Sequence, residues 1–171
     1  VIPETQSQEK KDMIRLAGAE LVQVPAAPYA NPNNYVRYSG RLAEELAKTE
    51  EHGAIWAIQF DNVANRQAHI EMTGPEIWEQ TGGEFDVFCA GMGTGGTITG
   101  VAQGFKDAGL TTRIVAVEPA GSPVLSGGAA GRHMIPGIGP DFVPPLLDTR
   151  LIDSFAQVAD DEASKMSLRL A

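Results

Sequence analysis

Gly91-Met92-Gly93-Thr94-Gly95-Gly96-Thr97 is the stretch of this chain best equipped for chemistry. Its glycines let the backbone turn through positive φ and approach a ligand without interference from a Cβ. The flanking pattern predicts a short buried apolar strand over 85–90 and a helix over 97–106. A strand that turns through glycines into a helix leaves the first helical N–H groups unpaired and pointing outward. With the positive end of the helix dipole, those groups suit an anion such as phosphate. Thr94, Thr97 and Thr99 add hydroxyls around the turn. Three hydroxyls fit a terminal phosphate with three oxygens better than a bridging pyrophosphate. We read the turn as holding the phosphate of a cofactor.

A rival reading uses the same residues. Gly91, Gly93 and Gly96 match the G-x-G-x-x-G dinucleotide fingerprint, and Glu118 lies 22 residues past the third glycine, where a ribose-binding acid belongs. Against it, 84 residues of α/β pattern precede the strand, whereas the fingerprint usually opens its domain. The second βαβ half is also displaced by a long connection over 119–145, which holds six glycines and six prolines. The threonines weigh against it as well. A P-loop does not fit, because no Gly-Lys-Ser/Thr follows. A tight turn that binds nothing stays open as a third reading.

Several elements must position this turn. The tail of a strand over 1–3 leads to a helix over 8–17, with Ser7 as cap, Met13, Leu16 and Ala17 on its apolar side, and Gly18 as its stop. A strand is predicted over 20–24, a Pro/Asn-rich loop over 25–34, and a helix over 35–48. Residues 54–60 read as a strand and 65–72 as a short helix. Thr73-Gly74-Pro75-Glu76 has capping-box spacing and opens a helix that ends at Gly82-Gly83. The glycine turn follows, then strands over 113–118 and 151–158 and a helix from Asp160. The order strand, helix, strand implies parallel pairing. The long connection over 119–145 has no period, and one of that length is usually functional.

Composition narrows the partners. Hydrophobic content of 43% with 20% charged residues is globular, and the net charge of −9 argues against nucleic acid and anionic membranes. The one cysteine, Cys89, allows no disulfide within the chain, which suits a cytoplasmic protein; its place in an apolar strand reads as core packing. His69 and His133 read as packing or surface residues.

In their order, these residues resemble a known family. Gly93-Thr94-Gly95-Gly96-Thr97, preceded by Thr73-Gly74-Pro75-Glu76-Ile77-Trp78, is similar to the pyridoxal-phosphate enzymes of fold type II, and within them to the O-acetylserine sulfhydrylases, or cysteine synthases. Gln59-Phe60-Asp61-Asn62, Val117-Glu118-Pro119, Ser122-Pro123-Val124-Leu125 and Gly137-Ile138-Gly139 extend the likeness over nearly the whole chain. The resemblance implies an α/β fold: a parallel sheet with flanking helices, as an incomplete two-domain piece. Residues 1–58 would belong to the smaller N-terminal domain and 59–171 to the larger domain that binds the cofactor phosphate.

It also implies roles. Gly93, Thr94, Gly95, Gly96 and Thr97 would cradle the phosphate of pyridoxal 5'-phosphate, and Gly137 would line the site where a side chain would obstruct it. Gln59 would donate a hydrogen bond to the substrate α-carboxylate, and Glu118 would become a structural acid. The family's reaction replaces the acetate of O-acetylserine by sulfide to make L-cysteine, with the cofactor as electron sink and a lysine as its covalent anchor. None of Lys10, Lys11, Lys48, Lys106 and Lys165 matches that lysine's motif, so no catalytic residue is assigned. The resemblance therefore implies an internal piece, inactive alone, without the N-terminal lysine segment and the C-terminal part. A homodimer is implied, and for some members a serine acetyltransferase C-terminal tail in the active-site cleft. Cystathionine β-synthase-like chemistry, a non-catalytic assembly module and an NAD-binding oxidoreductase stand as alternatives.

Overall fold

A computed structural model describes residues 1–171, which divide into two compact units, Val1–Ala57 and Ile58–Ala171. In the first unit, β1 (Ile2–Pro3) pairs in parallel with β2 (Gln23–Val24), with α1 (Gln8–Leu16) between them in the chain and α2 (Tyr35–Thr49) after them. Ser7 precedes α1 without a side-chain cap bond, and Met13 and Leu16 are exposed instead of forming a buried side. Asn34 caps α2 properly. Its Oδ1 accepts from Val36 N at 3.0 Å, and its Nδ2 donates to Ala27 O at 2.8 Å, which also closes the Pro/Asn-rich loop. The strand expected over 54–60 does not form. No neighbouring strand is there to pair with it, Ile55 is 93% exposed, and Ile58 has φ 44°, outside the β region.

The second unit is a three-stranded parallel sheet in the order β3-β4-β5, with helices before, between and after its strands. Its strands are β3 (Val87–Gly91), β4 (Arg113–Pro119) and β5 (Ser154–Val158). Val87 is in register with Arg113, and Val115 with Ser154. Helix α5 (Gly96–Asp107) runs between β3 and β4, and its Ile98, Val101, Ala102 and Phe105 pack with Ile114 and Ala116 of β4 as the core. Phe85 and Phe88 set their rings against Phe105 at centroid distances of 5.2 and 5.8 Å. β3 is not the buried strand that was expected. It has one neighbour, its residues alternate in exposure, and Cys89 is exposed, so the core reading of that thiol is overturned.

Before β3, α3 (Val63–Ala68) passes without a break through a π-helical turn, His69–Thr73, into α4 (Gly74–Thr81). Gly74 N donates to His69 O, the i→i−5 bond that defines such a turn. Thr73 therefore has helical φ and ψ and caps nothing; the local capping-box spacing gave way to a continuous helix. α4 ends as expected, with Gly82 in the left-handed region at φ 65°. The last helix, α6 (Asp160–Leu170), begins with Glu162 Oε2 accepting from Ala159 N at 2.9 Å, while Met166 and Leu170 stay exposed.

Three glycines bring α5 close to the α3–π segment. A Cβ on Gly96 would fall 2.3 Å from Asn65 Oδ1, and one on Gly100 would fall 2.6 Å from Arg66 O. One on Gly104 would sit 3.4 Å from Ile70 O. Spaced four apart, these glycines share one helix face and let two backbones meet. That contact positions everything at the N-terminal end of α5.

The connection over 120–148 has no helix or strand, yet it is stitched down. Glu118, 1% exposed, accepts from Leu125 N at 2.8 Å, Ser126 N at 3.1 Å and the Ser126 hydroxyl. Ser122 Oγ accepts from Gly131 N at 3.2 Å, and Gly139 N donates to Met92 O at 3.0 Å. Asp148 N reaches the buried Thr99 hydroxyl on α5 at 3.1 Å.

Candidate cofactor site

β3 ends where Met92 N donates to Val117 O at 3.0 Å, and the chain then leaves the sheet. Gly95 turns it at φ 81° and precedes the first helical residue, Gly96. The first-turn N–H groups of Thr97 and Ile98 have no intrahelical acceptor by helix geometry. A cleft of about 220 Å³ opens at this point. Gly93, Thr94, Gly95, Thr97 and Gly137 line it, and Gly91 and Ile98 complete the wall. No carboxylate lies among these residues, which favours an anion there. The cradle is also built for absent side chains: a Cβ on Gly93 would fall 2.8 Å from Gly137 O, and Gly137 itself has φ 88°. Glycine turn, hydroxyls and bare helix end together fit a phosphate group.

A larger cleft of about 330 Å³ lies beside Arg66, Asp148 and Arg150. Its carboxylate is held ionised, because the Arg150 guanidinium donates to Asp148 and lowers its pKa from 3.8 to about 2. Two guanidiniums and one ionised carboxylate line that cleft, and no glycine does, so it lacks the backbone cradle found at the N-terminal end of α5.

Five of the residues singled out from the sequence thus share one wall. Gly96 sits beside them, with its N–H taken by Thr94 Oγ1 at 3.2 Å. Gln59 does not line the cleft; its side chain is exposed, and its carbonyl accepts from Asn65 Nδ2 at 2.8 Å. Glu118 is buried and fully engaged by the following loop, so it cannot serve a ribose.

Two residues escaped the sequence reading. His69 is more than a packing or surface residue: its Nδ1 meets Thr73 Oγ1 at 2.9 Å and its Nε2 meets Thr97 Oγ1 at 3.0 Å. It ties the π turn to a hydroxyl of the cleft. Asn65 Nδ2 meets Thr94 Oγ1 at 3.0 Å. The only signal for either was its place on a predicted helix; the partners are 28 and 29 residues away. His133 is closer to expectation, half-buried with Nε2 at 3.1 Å from Gly139 O.

Comparison with known proteins agrees with this geometry. The family model described as pyridoxal-phosphate dependent enzyme matches residues 1–171, and the chain belongs to that family. It is 42% identical over 171 residues to a cysteine synthase of Staphylococcus aureus, covering 99% of this chain and 53% of that protein. The crystal structure of a cysteine synthase from Entamoeba histolytica superimposes with a TM-score of 0.84 at 33% identity, covering 98% of this chain and 48% of that one. A hydrogen sulfide-producing enzyme from Fusobacterium nucleatum gives 0.83 at 34% identity, covering 99% and 54%. The chain spans about half the length of the curated relatives it matches. No helix is long and apolar enough to cross a membrane.

Proposed function

We propose that the protein carrying this chain is a cysteine synthase, which replaces the acetate of O-acetylserine by sulfide to form L-cysteine. The observation that carries the reading is the cleft at the N-terminal end of α5, where threonine hydroxyls and glycine backbone converge without a carboxylate. Similarity to cysteine synthases over the whole chain supports the choice of reaction. Pyridoxal 5'-phosphate, when bound, supplies the electron sink that makes the α-proton of an amino acid removable.

The residues of this chain do the holding. Thr94 and Thr97 donate their hydroxyl hydrogens to phosphate oxygens, and the first-turn amides of α5 add N–H donors. His69 supports Thr97: with its hydrogen on Nε2, the ring donates to Thr97 Oγ1 and frees that hydroxyl to donate outward, while Thr73 donates to Nδ1. Gly93 and Gly137 leave room that a Cβ would fill. Gln59 offers its amide to the substrate α-carboxylate. None of the five lysines lines the cleft, so covalent anchoring is assigned to no residue here. In this reading, residues 1–58 belong to the smaller domain and 59–171 to the larger. A homodimer in the cytoplasm, with an acetyltransferase tail as partner, extends it by family resemblance.

Titration of the apoprotein with pyridoxal phosphate tests the reading. Binding should be followed by absorbance, competed by inorganic phosphate, and leave no borohydride-stable adduct on the five lysines. The complete protein should then form cysteine from O-acetylserine and sulfide. Tight NAD binding with no response to pyridoxal phosphate would overturn the proposal.

A further inference from the structure

Resting on the reading of the cleft as a phosphate site, we infer that Asn65 is a positioning residue for both ends of the ligand: one amide nitrogen fixes the main chain at Gln59 and dedicates the Thr94 hydroxyl to phosphate. An asparagine Nδ2 carries two hydrogens. Here one goes to Gln59 O at 2.8 Å and the other to Thr94 Oγ1 at 3.0 Å. Gly96 N donates to the same Thr94 oxygen at 3.2 Å. A hydroxyl has two lone pairs and one hydrogen. Both lone pairs of Thr94 are taken, so its hydrogen is the one polar group left to meet a ligand in the cleft that Thr94 lines. Thr94 is thereby a donor only. That polarity matches a phosphate dianion, which accepts and does not donate.

The Gln59 end shows the same preparation. Ile58, the residue before it, is β-branched and left-handed at φ 44°, a conformation that persists only where its surroundings over-determine it. Ile58 O accepts from Asp61 N and Asn62 N, both at 2.9 Å, and Asn65 N donates to Asn62 O at 3.0 Å. The reversal over 58–62 thus runs directly into the residue whose side chain turns back to hold Gln59. The position is also specific on the helix side, since any side chain at residue 96 would collide with Asn65 Oδ1. The glycine at 96 makes room for this amide, which explains a requirement that cofactor approach alone does not.

The test compares Asn65→Ala, Asn65→Asp, Thr94→Val and the Asn65→Ala/Thr94→Val double variant in the complete protein. Apoprotein affinity is measured for pyridoxal phosphate and for pyridoxal, which lacks the phosphate, and KM and kcat are measured for O-acetylserine. Asn65→Ala should weaken pyridoxal phosphate about tenfold, leave pyridoxal unchanged, and raise KM with little change in kcat. Asn65→Asp keeps the volume but has no hydrogens to give, and it should be weaker still. In the Thr94→Val background, Asn65→Ala should cost no further cofactor affinity while still raising KM. Affinity losses that simply add, or wild-type affinity in both Asn65 variants, would overturn the inference and leave the site reading intact. A wild-type apoprotein that ignores pyridoxal phosphate would overturn both. Thermal melts check folding; should Asn65→Ala fail to fold, the isosteric Asn65→Asp carries the test.

Discussion

A hydroxyl beside a phosphate is useful only when its hydrogen is aimed outward, and here neighbouring side chains decide that. Asn65 fills one acceptor position of Thr94, and His69 meets Thr97, so the cleft's polarity is set from behind. Gln59 differs. Its side chain is exposed and its main chain alone is held, an arrangement compatible with the substrate role proposed for its amide. Gln59→Ala should therefore raise KM for the amino-acid substrate about tenfold, the value of one hydrogen bond to a charged group, while cofactor affinity stays at the wild-type level. Steady-state kinetics beside a cofactor titration checks the split.

At the scale of elements, the decisive contact is α5 against the α3–π segment. Gly100 makes the tightest approach to backbone, with a Cβ meeting Arg66 O at 2.6 Å and His69 Cβ at the same distance. Alanine would gain about 0.5–1 kcal/mol of helix propensity there. Overlap with backbone has no easy relief and costs about 1–3 kcal/mol, so the clash wins and Gly100→Ala should destabilise. Gly104→Ala, whose Cβ would lie at an ordinary 3.4 Å from Ile70 O, should be neutral or mildly stabilising. Urea midpoints check this: Gly100→Ala should fall below wild type, and Gly104→Ala should not. Glycines 96, 100 and 104 were visible in the sequence as a turn and two weak helix positions; that they form one seam depends on which helix arrives to meet them.

For the second unit as a whole, stability rests on fastening a long irregular loop to a small sheet. Asp148 anchors its end: its N–H reaches Thr99, and its carboxylate is paired with Arg150 at 2.7 Å. The Arg150 hydrogen bond lowers the Asp148 pKa from 3.8 to about 2. A depressed carboxylate pKa contributes stability above the unfolded value and loses it as pH falls toward the folded value. Wild type should thus exceed Asp148→Asn in urea midpoint near neutrality, with the gap closing between about pH 4 and pH 2. Arg150 is largely exposed, so added salt should shrink the same gap.

Features that arise within a few residues are legible in the linear chain. The α2 and α5 helices, the Gly82 stop and the glycine turn follow from side-chain period, caps and positive-φ preference, which need no distant partner. Five members of the cleft wall lie within or beside that turn or were named by resemblance to a family, and so were legible too. The rest depended on partners distant in the chain. Residues 54–60 have strand composition but no strand to pair with, and β3 is apolar yet left at a sheet edge. Thr73 has a cap's spacing inside a helix that never stops, and Glu118 has a ribose acid's position inside a loop that consumes both its oxygens. Asn65 and His69 became part of the site only when folding set them against hydroxyls 29 and 28 residues further along, respectively. Hydrogen bonds and burial are properties of pairs, and a linear pattern describes just one member of each.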